Sequence, residues 1–165
     1  MKLNLILTFF ISTGFSILSF GQIDTINNSK LSIDAPIDKG HYIEGSEKQR
    51  KYDQMIAPYI EQARKTLPDA KKRFLLGLKS GEVFYLVTRI YDKDGKFEQV
   101  FVRVKDWHDD DIKGLIENEL YTVKEYHNGQ LIVFKEKGVY DWLISKPDGS
   151  EEGNFIGKYL DSVQK

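Results

Sequence analysis

The chain of 165 residues contains no cysteine, and its formal net charge is only −1. Without cysteine, a disulfide framework and the lipid-bearing thiol of a lipoprotein are both excluded. A net charge so near zero provides no electrostatic reason to expect nucleic acid or an anionic membrane surface as the partner. The sequence therefore predicts a domain held together by ordinary core packing, to which its 10 Phe and 9 Tyr residues would contribute.

The first 21 residues have the three-part pattern of a secretory signal peptide. Lys2 supplies the positive start, residues 3–20 are almost wholly apolar or small, and small residues stand before the expected cleavage site. We expect cleavage between Gly21 and Gln22, which gives an exported protein, periplasmic or secreted, with no membrane contact afterwards. The alternative is an uncleaved anchor, because the apolar run approaches the length that spans a bilayer.

The rest of the chain divides into a leader and one domain. Residues 22–45 are rich in Asn, Ser, Asp and Gly and show little apolar periodicity, which predicts a mobile leader. Residues 46–165 contain no repeat, low-complexity tract or linker, and their length suits a single domain with one core.

Two helices are predicted at the start of this domain. Residues 46–49 have the S-x-x-Q form of a capping box, and apolar residues then recur at three- and four-residue steps as far as Leu67. Pro58 conflicts with an unbroken helix, so we expect a kink there, the alternative being a second helix that begins at this proline. Pro68 would open the next helix, which would end at residues 80–81.

The remaining elements are predicted to be mainly strands. Residues 82–106 contain two β-branched and aromatic runs around a polar loop with Gly95, which predicts a hairpin at the centre of the sheet. A second hairpin is predicted around Asn128–Gly129, with strands at residues 121–127 and 130–135. A strand at residues 139–144 and a closing helix or strand follow. This order predicts an α+β fold: an N-terminal helix pair packed on an antiparallel, strongly bent β-sheet of meander topology, in a single domain.

Several segments carry a resemblance to a known family. Residues 139–149, VYDWLISKPDG, are followed by a glycine and an aromatic residue at 153–155, and residues 55–57 and 63–67 supply Met-Ile-Ala and Ala-Arg-Lys-Thr-Leu. In this order they resemble the YegJ-like domain of unknown function family (domain of unknown function 2314). Asn154 and Ile156 stand where the family pattern would have a second glycine and a threonine. The resemblance implies a small bacterial α+β domain with no established activity.

Motifs for catalysis and metal binding are weak. Residues 108–111, His-Asp-Asp-Asp, have metal-ligand chemistry, but consecutive residues rarely converge on one ion, which favours a solvated acidic loop. Residues 92–95 begin like an EF-hand loop, yet the later ligand positions are unsuitable. The sequence has no G-x-S-x-G elbow and no glycine-rich phosphate loop. It therefore predicts no catalytic residue, no metal and no cofactor, and leaves enzymatic activity uncertain.

Two tryptophans stand beside acidic residues and supply the candidate binding residues. A tryptophan next to an aspartate at a strand end can form an exposed platform, and core packing is the alternative for both. Our hypothesis is that residues 107–111 form an acidic-aromatic contact surface for a basic partner. The candidate residues are Trp107, His108, Asp109, Asp110, Asp111, Asp141 and Trp142.

The expected function is a non-enzymatic binding or interaction module of the cell envelope, whose ligand is an unknown protein or a small molecule. The alternative is an inhibitor or immunity-type protein that neutralises an exported toxin or hydrolase with its acidic loop. An unrecognised hydrolase is the third possibility, and it predicts a pocket with convergent polar groups and perturbed pKa values.

Overall fold

The computed structural model describes residues 46–163, so the predicted signal peptide and leader lie outside the described residues. The helices are α1 (Ser46–Leu76) and α2 (Phe155–Val163), and a 3-10 turn spans Glu136–Gly138. The strands are β1 (Val83–Tyr91), β2 (Phe97–His108), β3 (Asp111–Ile116), β4 (Leu131–Lys135), β5 (Asp141–Ser145) and β6 (Glu151–Gly153).

The six strands form one antiparallel sheet in the order β4-β3-β2-β1-β5-β6. The hairpin of β1 and β2 occupies its centre as predicted, and Gly95 has a positive φ of 80° in the connecting loop. Strands β1 to β4 form a meander, whereas β5 returns to the other side of β1. The α+β class and the single domain are confirmed, while the strong bend of the sheet stays a prediction.

A single helix of 31 residues occupies the span in which two helices were predicted, so the N-terminal helix pair is wrong. Pro58 and Pro68 both lie inside α1, on its exposed side. Each proline removes one helical hydrogen bond, but the buried stripe of Ile56, Ala63 and Leu67 keeps its phase across both positions. Packing of this stripe offsets the local preference for a break.

The loop between β3 and β4 replaces a predicted strand. Gly129 forms a turn with φ of 77°, and residues 131–135 are a strand as predicted, but residues 121–127 are not. The Glu98 carboxylate accepts hydrogen bonds from the backbone N–H groups of Tyr121, Thr122 and Val123. Because these three N–H groups donate to a side chain, they are not available to pair with a neighbouring strand.

The core lies on both faces of the sheet. On one face, Phe84, Leu86 and Ile144 pack in a cluster with Ala63 and Leu67 of α1. The opposite face carries a second cluster, consisting of Tyr85, Val87, Phe101 and Leu143. Helix α2 places Ile156 and Leu160 against Tyr52 and Ile56, in the N-terminal half of α1. The C-terminal half of α1 is thereby held over the end of the sheet at which β2 turns into β3.

Candidate functional site

The structure divides the predicted binding residues into two groups. Trp107, Asp141 and Trp142 are buried in the domain, with exposed fractions of 4%, 0% and 6%. Residues 108–111, here called the acidic turn, are exposed at the junction of β2 and β3. The two groups therefore do not form one surface.

The acidic turn is a tight connection in which His108 and Asp111 are paired across the two strands. Asp109 has a φ of 51°, a left-handed conformation that Asp tolerates better than most residues. The side chains of His108 and Asp109 are 83% and 87% exposed, and the Asp111 carboxylate lies 2.6 Å from Lys135 Nζ. Asp109 and Asp110 thus present carboxylates to solvent at the tip.

Lys71 of α1 anchors the acidic turn. Its Nζ donates to the backbone oxygen of Asp109 at 2.8 Å and to Glu136 Oε2 at 2.6 Å, and it lies 4.8 Å from the centre of the Trp107 ring. The backbone N–H of Glu136 donates to the oxygen of Asp110 at 2.8 Å. A partly buried lysine therefore joins helix, turn and 3-10 segment, and holds the acidic tip in one position.

An open groove of about 640 Å³ lies between α1 and the acidic turn. Its helix side is formed by Arg64, Leu67 and Pro68, and its other side by Asp110, Lys135, Glu136 and Lys137. Two of its charges are neutralised, because Lys135 pairs with Asp111 and Glu136 pairs with Lys71. Arg64 and Lys137 are exposed and have no ion-pair partner within residues 46–163. The groove therefore offers two available cations beside the exposed carboxylate of Asp110, and Asp109 is the adjacent residue of the acidic turn.

Trp107 is a core residue and cannot present its ring to a partner. The ring centre lies 6.2 Å from that of Phe84 and 6.4 Å from that of Phe74. Its Nε1 is buried and finds no hydrogen-bond partner among the described residues. The hypothesis of an acidic-aromatic surface therefore loses its aromatic member and keeps only its acidic part.

Asp141 connects β5 to the start of α2. Its Oδ2 accepts from the backbone N–H of Ile156 at 2.7 Å, and its Oδ1 accepts from the N–H of Trp142 at 2.8 Å. The first bond satisfies a free amide at the helix N-terminus, where a carboxylate is favourably placed. Burial raises the pKa of the Asp141 carboxyl to about 7, although the backbone donors act in the opposite direction.

Trp142 connects β5 to α1. Its Nε1 donates to Thr66 Oγ1 at 2.9 Å, and its ring is stacked with that of Phe84 at 6.3 Å between centres. Gly153 lies so close that a Cβ there would stand 2.8 Å from Trp142 Cε3. The Asp-Trp pair and the following glycine thus form a structural junction in which neither side chain is available to a ligand.

No three His, Asp or Glu side chains in the described part of the chain converge to hold a metal ion. In the EF-hand-like segment, Asp92 Oδ1 accepts hydrogen bonds from the backbone N–H groups of Asp94 and Lys96. This carboxylate stabilises the hairpin loop.

The basic residues of the groove were missed by sequence reasoning. Arg64, Leu67 and Lys71 follow one another at three- and four-residue steps, so a shared helix face was visible in the sequence. Lys137 has no comparable local signal, because its position relative to Arg64 arises only when the 3-10 turn packs beside α1.

The fold and the groove define a small α+β domain in which two helices pack on a six-stranded antiparallel sheet. Residues 53–162 match the family described as "Uncharacterized protein conserved in bacteria (DUF2314)", and the chain belongs to this family. No curated protein and no solved structure matches the chain. Neither helix within residues 46–163 has both the length and the apolar character that crossing a bilayer requires.

Proposed function

We propose that this protein is an exported, non-enzymatic binding module that contacts a protein partner through the groove and the acidic turn. The observation that carries the proposal is the placement of Arg64 and Lys137, which have no ion-pair partner within residues 46–163, beside the Asp110 carboxylate of an acidic turn whose backbone Lys71 anchors at Asp109. A matching partner presents an acidic group to the cations and a basic group to the acidic turn. Such complementarity contributes specificity and association rate.

Two further features support a binding role over a hydrolase. The groove is lined by no Ser, Thr or His, so its walls offer no hydroxyl nucleophile with an adjacent imidazole base. The Asp141 carboxyl, with its raised pKa, is buried and receives backbone N–H donors at the α2 junction. Burial in a structural junction therefore explains the raised pKa of Asp141 without any catalytic role.

The pattern of residues 1–21 supports export and a location in the cell envelope or outside the cell.

The test uses charge-removing variants of the full chain, tagged at its C-terminus and recovered with its partner from native envelope extract. We expect Arg64→Gln with Lys137→Gln, and separately Asp109→Asn with Asp110→Asn, to weaken partner binding by about tenfold or more. These four side chains are exposed, so stability is expected to change by less than about 0.5 kcal/mol. The intact mass of the recovered protein is expected to equal that of a tagged chain whose first residue is Gln22.

The matched control is Lys93→Gln with Lys96→Gln in the loop between β1 and β2, which removes two exposed cations away from the groove. Partner affinity is expected to be unchanged in this control. Equal affinity in the wild type and in both groove variants would contradict the proposal. Trp107→Ala is unsuitable as a probe, because removing this buried ring would destabilise the core.

The protruding acidic turn also supports the second candidate, an inhibitor of an exported toxin or hydrolase. A carboxylate tip held by Lys71 could enter a basic active site with little loss of conformational freedom. In that case the captured partner is an enzyme, and Asp109→Asn with Asp110→Asn raises its inhibition constant. A partner without catalytic activity would exclude this candidate.

A further inference from the structure

Strand β4 is an edge of the sheet, and among the described strands only β3 pairs with it. Two backbone bonds define which groups point outward: Ile116 N donates to Gln130 O at 3.0 Å, and Glu136 N donates to Asp110 O at 2.8 Å. Because hydrogen-bonded pairs alternate along an antiparallel ladder, even-numbered β4 residues face β3. The backbone N–H and C=O groups of Leu131 and Val133 therefore point to the open edge, as does the N–H of Lys135, whose C=O belongs to the 3-10 turn that follows.

The side chains of the same three residues are also exposed. Leu131 is 48% exposed and Val133 is 64% exposed, an unusual degree for large apolar residues. The opposite edge differs, because β6 has only three residues and carries two acidic side chains, Glu151 and Glu152. Short, charged edges resist further strand pairing. Strand β4 is thus the edge that can receive another strand.

The open edge continues directly into the groove. Lys135 is the last residue of β4 and also lines the groove, in which Lys137 and Arg64 lack ion-pair partners within residues 46–163. A strand that is laid along β4 and extends past Lys135 would bring its next residues to these cations. Charge complementarity therefore requires an acidic side chain or a terminal carboxylate at this point.

We propose that the β4 edge binds an extended segment of the partner as a seventh strand, with an acidic group of that segment in the groove. This inference rests on the proposed function and names the class of ligand that the site accepts. Backbone hydrogen bonds to Leu131, Val133 and Lys135 provide affinity, and apolar residues of the segment cover Leu131 and Val133. A second copy of this chain fits less well, because two-fold pairing about Val133 places Leu131 against Lys135 and supplies no carboxylate to Arg64.

The test begins with selection of random peptides displayed on phage against the full chain. Enriched peptides are expected to alternate apolar residues and to carry Asp or Glu near one end. Val133→Pro removes one outward N–H and no bond to β3, so the sheet is retained. We expect this variant to bind a synthetic selected peptide at least about tenfold more weakly than the Val133→Thr control, which keeps the N–H.

A second pair of variants tests the groove end of the same peptide. When the acidic residue of the peptide is replaced by its amide, the affinity of the wild-type protein for the peptide is expected to fall about tenfold. The affinity of the Arg64→Gln, Lys137→Gln variant is expected to change little, because the cations that the acidic residue would contact are already absent. In amide NMR spectra, the N–H groups of Leu131, Val133 and Lys135 are expected to become protected from exchange when the peptide binds.

The outcomes separate the two proposals. Peptide binding that is lost with the groove variant but unchanged by Val133→Pro would overturn the added-strand inference and leave the proposed function standing. Binding that is unaffected by either change would overturn both. A dimer that is disrupted by Val133→Pro, with no peptide selected, would show that the edge pairs with a second copy and would also overturn the inference.

Discussion

Glu98 is a carboxylate that stabilises a loop in place of a strand ladder. The residue is 3% exposed, and its two oxygens accept from the N–H groups of Tyr121, Thr122 and Val123 at 3.0 to 3.2 Å. One carboxylate thus serves as the hydrogen-bond acceptor for several backbone N–H groups that would otherwise lack partners. The connection from β3 to β4, and hence the position of the β4 edge, depends on this side chain.

Glu98→Gln is expected to lower the free energy of unfolding by about 2 kcal/mol, because three backbone N–H groups lose a charged acceptor and the amide NH₂, in the place of Oε1, faces the N–H of Tyr121. Urea denaturation followed by circular dichroism measures the loss. The control is Glu119→Gln, an exposed position in the same loop, at which a change below about 0.5 kcal/mol is expected. Equal stability of the two variants would show that the carboxylate is dispensable.

Among the elements, the junction of β6 with α2 depends on close packing at one glycine. Gly153 has a φ of 76°, and a Cβ there would overlap the carbonyl oxygen of Trp142 and stand 2.8 Å from its ring. Asn154 follows with a φ of 53°, a left-handed conformation that glycine adopts most readily and asparagine next. Asn is therefore one of the few residues other than Gly that this position accepts without a large backbone strain.

Gly153→Ala is expected to destabilise the protein by about 3 kcal/mol or more, since it combines an unfavourable φ with overlap in a packed junction. Gly129→Ala is the matched control, because its φ is 77° but no atom lies within 4 Å of the added methyl group. Its expected cost is about 1 kcal/mol. Thermal unfolding of both variants separates the packing contribution from the backbone contribution, and similar losses would refute the importance of packing against Trp142.

Helix α1 is the element for which local rules predicted the wrong structure. A proline within a helix lacks the N–H donor and clashes with the preceding turn, so the sequence predicted a kink at Pro58 and a second helix beginning at Pro68. The continuous helix is stabilised from outside: Trp142 contacts Thr66, and Ala63 and Leu67 pack on the sheet. Lys71 then reaches the acidic turn only because the helix continues beyond Pro68.

The molecule as a whole is expected to have a pH-dependent stability that originates at Asp141. Burial raises the pKa of this carboxyl from 3.8 to about 7, so the folded state binds the proton more tightly than the unfolded state. The resulting stabilisation is complete below pH 3.8 and is lost as the pH rises to about 7. At about 1.4 kcal/mol per pKa unit, this contribution is on the order of 4 kcal/mol.

Asp141→Asn removes this titration, so its free energy of unfolding is expected to vary less between pH 5 and pH 8 than that of wild type. Urea denaturation at several pH values measures the difference between the two proteins, in which the contributions of the other carboxyl groups cancel. Wild type is expected to lose stability relative to the variant as the pH rises over this range. Parallel pH profiles would contradict the role of Asp141.

The sequence by itself determined the fold class, the central hairpin and its loop, and the exposure of the acidic turn. These features follow from short-range patterns: a nearly continuous apolar run in β1, alternation along β2, a glycine in a tight loop, and three consecutive acidic residues. Such patterns specify backbone geometry and polarity within a few residues. They therefore remain valid in almost any tertiary context.

Only the tertiary structure decided that α1 is continuous, that Trp107, Asp141 and Trp142 are buried, and that Arg64 and Lys137 share a groove. Each of these depends on contacts between distant parts of the chain, such as the bond between Lys71 and Glu136, which are 65 residues apart. The local sequence pattern around an aromatic or acidic residue is the same whether a helix packs over that residue or the residue is exposed to solvent. The covering helix is what decided between a core residue and a binding surface.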